Sequence, residues 1–544
     1  MTEQLPPPLT PVTFLERCGR FYGERTAVNF NGNLISFEKM LARCKSAAQF
    51  LIDKGVEDGT KISLISTNNI AVIESHFFVP ASQAVLVTIN PTLSISEILY
   101  QVVFSKSRFV ITTDKFYRLY QEELNELREG NDITFVIYSD SDDHQEENEQ
   151  LFNYSTMINW VSNIASLDGL INSELSPIGI NFTSGTTGNP KAVVFTHRAA
   201  YLQAMGQCLL MKLDRHSIYY CMLPLFHGNG WFHIWANIAV GAKQILFTKI
   251  SSSSLVDDLI KHSVTHCAGS PRLLSKLFEG TPGNQLKGMT VMTGGAAPTS
   301  ELIENMEYHG IELIQQYGLN ESCATFTVTE KDDNWQSYDL NEKVHALSKQ
   351  GIPAIHAGYG LRVVNDEGKD VERDAESVGE IWLRGNTISE GYYGNEKETS
   401  KSYLGGWFRT GDLAVMDKSG SIVLKDRIKD TFFIETADGW LNVSTLEVER
   451  VISQCDCVND IAVVGLVDPS SGSNILVAFV ETDSTTSYQS EIREFCKSNL
   501  GEYQVPTLIV KTLLPKTATG KIQKHRLKVL NVEEYMASQV FESF

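Results

Sequence analysis

Residues 183–191 read Thr-Ser-Gly-Thr-Thr-Gly-Asn-Pro-Lys, so four hydroxyls, two glycines, a proline and a lysine fall within nine positions. The glycines, Gly185 and Gly188, let backbone N–H groups turn toward an anion. The hydroxyls of Thr183, Ser184, Thr186 and Thr187 donate further hydrogen bonds, and Lys191 adds a point charge. A polyphosphate is the natural guest. The composition alone would equally suit a surface turn. A Walker loop does not fit, because the lysine follows a proline and no helix signal comes next.

Other stretches carry chemistry more weakly when read singly. His227 sits in Leu225-Phe226-His227-Gly228-Asn229-Gly230-Trp231, and a lone histidine among aromatics is usually a packed residue. Gly294-Gly295-Ala296-Ala297-Pro298 follows an apolar run. Such small residues either make a turn or let a flat ring approach the backbone. Thr410-Gly411-Asp412 sets a carboxylate after a glycine turn, where it can accept both hydroxyls of a ribose. Asp426-Arg427-Ile428-Lys429-Asp430, read alone, is a solvated charged turn. Lys521, on a Thr-Gly loop, reads alone as a surface lysine.

The elements that must position these residues alternate in type. The apolar residues of 37–54 recur at helical spacing, and residues 61–65, 109–113 and 133–138 read as strands. Apolar stretches on both sides of 183–191 make it strand, polar loop, strand. Further strands are expected at 217–221, 244–247 and 311–315, with a helix at 301–309. From Gly379 the texture becomes that of a small β region. From Arg427 it becomes a separate small α/β unit, with a helix over 444–455 and strands over 461–467 and 475–481. Alternation of strand and helix argues for parallel sheets covered by helices. The acidic run 139–150 reads as a solvated loop.

At 544 residues the chain exceeds one ordinary core. Hydrophobic residues at 42% and charged residues at 21% suit a soluble globular protein. A net charge of −20 argues against nucleic acid as a partner. The nine cysteines are scattered and odd in number, as buried reduced thiols would be. Cys455-Asp456-Cys457 is too tight for an ordinary zinc knuckle. No signal-peptide pattern, apolar membrane-spanning run or Ser-Lys-Leu-type ending is found, so cytoplasm is the default expectation.

Taken in order, these segments resemble the adenylate-forming superfamily of acyl-CoA synthetases, luciferases and adenylation domains. The resemblance covers nearly the whole chain. It implies an α/β fold with a large N-terminal domain, residues 1–426, of two subdomains with parallel-type sheets plus a small β region. A small mobile α+β lid, residues 427–544, would follow. Residues 183–191 become the phosphate loop. Gly295, Ala296, Ala297 and Pro298 become the adenine segment, with Gln316, Tyr317 and Gly318 beside it. Tyr317 would stack on adenine, Asn320 would bond the α-phosphate, and Glu321 would reach Mg2+ on ATP. Asp412 would take the ribose, Arg427 the ribose or phosphate, and Lys429 the hinge. Lys521 would bridge the substrate carboxylate and the α-phosphate. His227 would lie near that carboxylate, with Asn229, Gly230, Trp231 and Gly294 in the acyl pocket.

Three departures mark this chain. Ala192 stands where the family usually has glycine, and Asn320 replaces a threonine. Residues 431–443 run a few positions long and lack the usual Gly-Gly before Val443. The implied reaction is adenylation of an apolar, fatty or aryl acid with loss of pyrophosphate, then transfer to coenzyme A. The cofactors are ATP, Mg2+ and coenzyme A, and a homodimer is carried as the assembly expectation. One alternative is an acyl-AMP ligase that loads a carrier-protein thiol or an amine. Another is a non-catalytic acyl-nucleotide-binding protein on the same fold.

Overall fold

The computed structural model describes the chain apart from residues 1–6, 141–145, 184–189, 248–254, 276–284, 429–431, 437–438, 469–472, 485–487, 517–521 and 529–544. At 433, 435, 436 and 439–442 it describes backbone only. Contacts divide the chain into two compact units, Met1–Leu361 with Leu383–Phe408, and Arg362–Trp382 with Arg409–Phe544.

The first unit is built on two sheets. One runs Gly391–Tyr392, Lys191–Thr196, Pro177–Thr183, Val85–Ile89, Lys61–Ile65, Ser107–Thr113, Thr134–Tyr138, Leu151–Asn153. It is parallel from Pro177–Thr183 onward and antiparallel at the Gly391 edge. Val85–Ile89 is buried at every position, as a strand covered on both faces must be. The second sheet holds parallel strands Ile218–Tyr220, Lys243–Leu246, His266–Gly269, Thr290–Thr293 and Glu312–Leu319 at its centre. The expected strands and the two expected helices of this unit, here Phe37–Asp53 and Ser300–Tyr308, are present.

Between these sheets the helix Ile70–Ala81 is buried all round, so it needs apolar neighbours on every face. Its one acidic residue, Glu74, is paired twice by Arg43, at 2.5 and 2.9 Å, and also accepts from Tyr154 Oη at 2.7 Å. A buried charge is tolerated only with such company.

The second unit has its own core. Asp460–Val467 pairs antiparallel with Asn474–Glu481, which pairs parallel with Leu508–Lys511. Helices Thr445–Ile452 and Tyr488–Asn499 supply Val448, Ile452, Ile492 and Cys496 to that core. Ser444 caps the first of these helices, accepting from Glu447 N at 3.1 Å. The Glu447 carboxylate takes Gln504 Nε2 at 3.0 Å. The unusual stretch before Val443 is a β-hairpin, with Phe432–Thr436 paired to Gly439–Val443.

Candidate active site

Strands Pro177–Thr183 and Lys191–Thr196 pair antiparallel with Thr183 opposite Lys191, which brings the two ends of the predicted phosphate loop side by side. Ser184, Gly185, Thr186, Thr187 and Gly188 lie outside the described residues. Lys191 is held in three ways. Its ammonium pairs with Glu398, it lies 4.7 Å from the centre of the Tyr392 ring, and its strand is flanked by Gly391–Tyr392. Tyr392 Oη in turn donates to Glu321 Oε1 at 2.9 Å. Burial and the Glu321 charge push the Tyr392 phenol far above its ordinary range, so it remains a donor. The base of the predicted phosphate loop is thereby wired to the carboxylate expected at the metal.

Glu321 follows the strand Glu312–Leu319 in a single 3-10 turn, Asn320–Ser322. Its peptide oxygen accepts from Ser389 N at 2.8 Å. The turn returns tightly enough that a Cβ on Gly318 would sit 1.6 Å from Ala324 O, so only glycine fits there. Gln316 and Tyr317 are buried in the same strand. Gly294 packs on Gln316, where an added Cβ would meet Nε2 at 2.3 Å. Beyond it Gly295, Ala296 and Ala297 are exposed and Pro298 is buried. Nothing lies within 4 Å of where a Gly295 Cβ would be, which leaves one open face at the predicted adenine segment.

The acyl segment is bent into an uncommon backbone. Gly228, Asn229, Gly230, Trp231 and Phe232 have φ of 50, 48, 58, 55 and 66° in succession, a single left-handed turn. Non-glycine residues resist that region, so neighbours must hold it. Asn229 Oδ1 accepts from Asn181 Nδ2 at 3.0 Å, and Gln207 Nε2 donates to Trp231 O at 3.2 Å. Thr88 Oγ1 donates to Phe226 O at 3.0 Å. His227 is half-buried at the start of the turn, and Trp231 packs half-buried against the core. A Cβ on Gly228 would lie 3.4 Å from Asn320 Oδ1, so the acyl segment and the substituted position in the Tyr317–Glu321 stretch are neighbours. The sequence reading missed Tyr392, Glu398, Asn181, Thr88 and Gln207. Each reads locally as an ordinary sheet or helix residue, and only pairing brings it here.

In the second unit Asp412 and Arg427 stand opposite each other across two antiparallel strands, and Arg427 Nε reaches Asp412 Oδ1 at 3.0 Å. Instead of the expected glycine turn, Gly411 lies inside the strand Trp407–Met416 with φ of 72°, its N–H donating to Glu380 Oε1 at 3.0 Å. The reading of 426–430 as a solvated turn is corrected at its first residue. Asp426 is buried at a strand end and accepts from Arg427 N at 2.8 Å and Thr445 N at 2.7 Å. Burial raises its carboxyl above the usual range, while Lys524 opposes that rise. Lys429 and Lys521 lie outside the described residues. The loop carrying Lys521 is closed at its base by a bridge between Lys516 and Ile522, and Lys516 Nζ is clamped by Asp460 and Glu481, each at 2.7 Å.

The AMP-binding enzyme family profile matches residues 15–393, and the C-terminal domain profile of the same enzymes matches 447–521. The chain belongs to the AMP-binding enzyme family. Within that family it is 31% identical over 530 residues to 4-hydroxybutyrate–CoA ligase 2 of Metallosphaera sedula, covering 96% of this chain and 94% of the relative. It is 30% identical over 539 residues to the peroxisomal trans-cinnamate:CoA ligase of Petunia hybrida, with the same coverages. Among solved structures, ATP-bound MatB from Rhodopseudomonas palustris superposes with a TM-score of 0.80 at 19% identity, covering 95% of this chain and 98% of MatB. The o-succinylbenzoate CoA synthetase of Bacillus subtilis, bound to its acyl-adenylate, gives 0.79 at 22%, again covering 95% and 98%. These similarities show a fold with mostly parallel sheets and a small C-terminal domain, as family membership requires. Among the described residues no helix is long and apolar enough to cross a membrane.

Proposed function

We propose that this chain activates a carboxylic acid with ATP, releasing pyrophosphate, and passes the acyl group from acyl-AMP to coenzyme A. The observation that carries this reading is the chain Lys191–Tyr392–Glu321, which joins the phosphate loop to a carboxylate whose turn abuts the acyl segment at Gly228. Carboxylate and triphosphate are both anions, so catalysis is positioning plus charge stabilisation. Lys191 and the loop hydroxyls hold phosphate oxygens, Lys521 neutralises the reacting carboxylate and α-phosphate, and Asp412 takes the ribose. Tyr317 and the open face at Gly295 hold the base, while His227 orients the acid. Glu321 offers a hard carboxylate oxygen, the donor class that Mg2+ takes together with phosphates. Mg2+ bound there would draw negative charge off the phosphates.

The acid is proposed as apolar. Trp231 and the buried Phe232 supply an apolar wall, and relatives are named for cinnamate, butyrate and benzoate. The lid boundary at 426/427, the pivot at Lys429 and a homodimeric assembly rest on the resemblance. Nine unpaired thiols support a reducing compartment, for which cytoplasm is the proposal. The deciding experiment is pyrophosphate release from ATP across a panel of acids, followed by AMP release with and without coenzyme A. Silence with every acid would favour a non-catalytic binder. The hairpin in place of Gly-Gly supports one second reading, transfer to a carrier-protein thiol. Adenylation without coenzyme A-dependent AMP release, but with carrier-dependent release, would establish it.

A further inference from the structure

Away from the nucleotide-binding residues, the second unit gathers two thiols and a carboxylate. Cys455 and Cys457 lie on the turn after helix Thr445–Ile452, and Glu491 lies in the first turn of helix Tyr488–Asn499. One ligand atom from each falls within 4.8 Å of the other two, and the sulfurs are 3.4 Å apart. A tetrahedral Zn2+ with ordinary Zn–S and Zn–O bonds sets its ligand atoms about 3.8 Å apart for S···S and about 3.5 Å for S···O. The three atoms therefore need small side-chain rotations only. Backbone holds the turn that bears the thiols, because Cys455 N donates to Ile452 O at 3.0 Å and Val458 N to Cys455 O at 2.9 Å. Cys455 is buried and Glu491 exposed, so a bound ion would be backed by core and open to solvent on one side. Cys455 and Glu491 line a cleft of about 340 Å³ together with Asp456 and Glu494, whose charge favours a cation.

We propose that Cys455, Cys457 and Glu491 form a binding site for one thiophilic divalent cation of the zinc class, with the fourth position left to water. The ion would tie the end of one helix to the start of the other. Zinc ligation requires both sulfurs as thiolates, so binding one ion to the protonated pair releases two protons. Protons compete with the ion for the two sulfurs, so binding is expected to weaken in acid. The sequence motif lacks a second ligand pair, and the third ligand comes from a different helix.

The test uses untagged full-length protein, stripped of metal, kept reduced and free of nucleotide. Titration with Co2+ should give a thiolate-to-metal charge-transfer band that saturates at one equivalent and is abolished by Zn2+. Cys455→Ser and Cys457→Ser should each weaken binding about 100-fold or more. Glu491→Gln, at an exposed position that leaves folding intact, should weaken it about tenfold and keep the band. Affinity should fall about 100-fold for each unit the pH drops, the mark of two displaced protons. No thiolate band at saturating Co2+, a band that survives in both serine variants, or unchanged affinity in Glu491→Gln would overturn the site.

Discussion

Tyr392 Oη gives Glu321 a fixed neutral donor at 2.9 Å, and its ring faces the Lys191 ammonium. A hydrogen bond to a charged acceptor is worth about 1.5–3 kcal/mol. Tyr392→Phe should therefore lower kcat/KM for ATP about tenfold and raise the Mg2+ concentration needed for half-maximal rate. An unaltered Mg2+ requirement would detach Tyr392 from the Glu321 role. Lys521 takes its proposed role from the family resemblance, as a cation for a reaction between two anions. Lys521→Ala should slow pyrophosphate release about 10²-fold or more, the scale for losing one preorganised donor. Thioester formation from supplied acyl-AMP should be spared. Equal loss in both half-reactions would remove Lys521 from adenylation.

At the scale of elements, the left-handed turn 228–232 stores strain within the segment expected to line the acyl pocket and is held by hydrogen bonds from Asn181 and Gln207. Asn229→Ala loses the Asn181 bond and places a Cβ residue at φ of 48° without asparagine's local polar compensation. Asn229→Gly loses the bond but not the conformation. The alanine variant should be less stable by about 1 kcal/mol and have the higher KM for the acid. If glycine and alanine behave alike, strain is not what the turn resists. The hairpin Phe432–Thr436 with Gly439–Val443 puts Glu435 opposite Trp440 where the family resemblance leads one to expect bare backbone. If its bulk narrows the thiol path, Trp440→Gly should lower KM for coenzyme A and leave adenylation unchanged. A raised KM would instead make Trp440 a contact for the acceptor.

At the scale of the whole molecule, several histidines are folded in as neutral groups. Burial lowers His76 and His356 to about 4 and His197 to about 3. His76 illustrates the cause. It is fully enclosed, and its Nδ1–H donates to Val72 O at 2.7 Å. The unfolded chain binds these protons near pH 6.5 and the folded chain does not. Their contribution to stability is thus complete above pH 6.5 and is lost as pH falls from there toward 4. Each histidine can add up to about 1.4 kcal/mol per pH unit to that slope. Thermal midpoints measured from pH 7 to 4.5 should fall steeply, and His76→Gln should flatten the fall by one proton's share. An identical slope in the variant would assign acid sensitivity to other groups.

Local chemistry that depends on residue type and near neighbours was legible in the sequence. Apolar runs of strand length, such as 61–65 and 133–138, became strands because burial on both faces asks for that composition and little else. The phosphate loop, the Gly294–Pro298 segment, Glu321 and Asp412 could be proposed from the sequence because each motif carries its own donors, acceptors or steric allowance in consecutive positions. Asp426 was misjudged because a charged run looks solvated until a helix N-terminus, here Thr445, closes over it. Tyr392, Asn181 and Gln207 act through partners 71, 48 and 24 positions away. No local pattern encodes such pairs. The same holds for Glu491 beside Cys455 and Cys457. The sequence by itself determined the family and which groups are proposed for phosphate, base and acid. Tertiary structure alone decided which of them meet, because strand pairing and helix packing join residues whose separation along the chain carries no chemical signal.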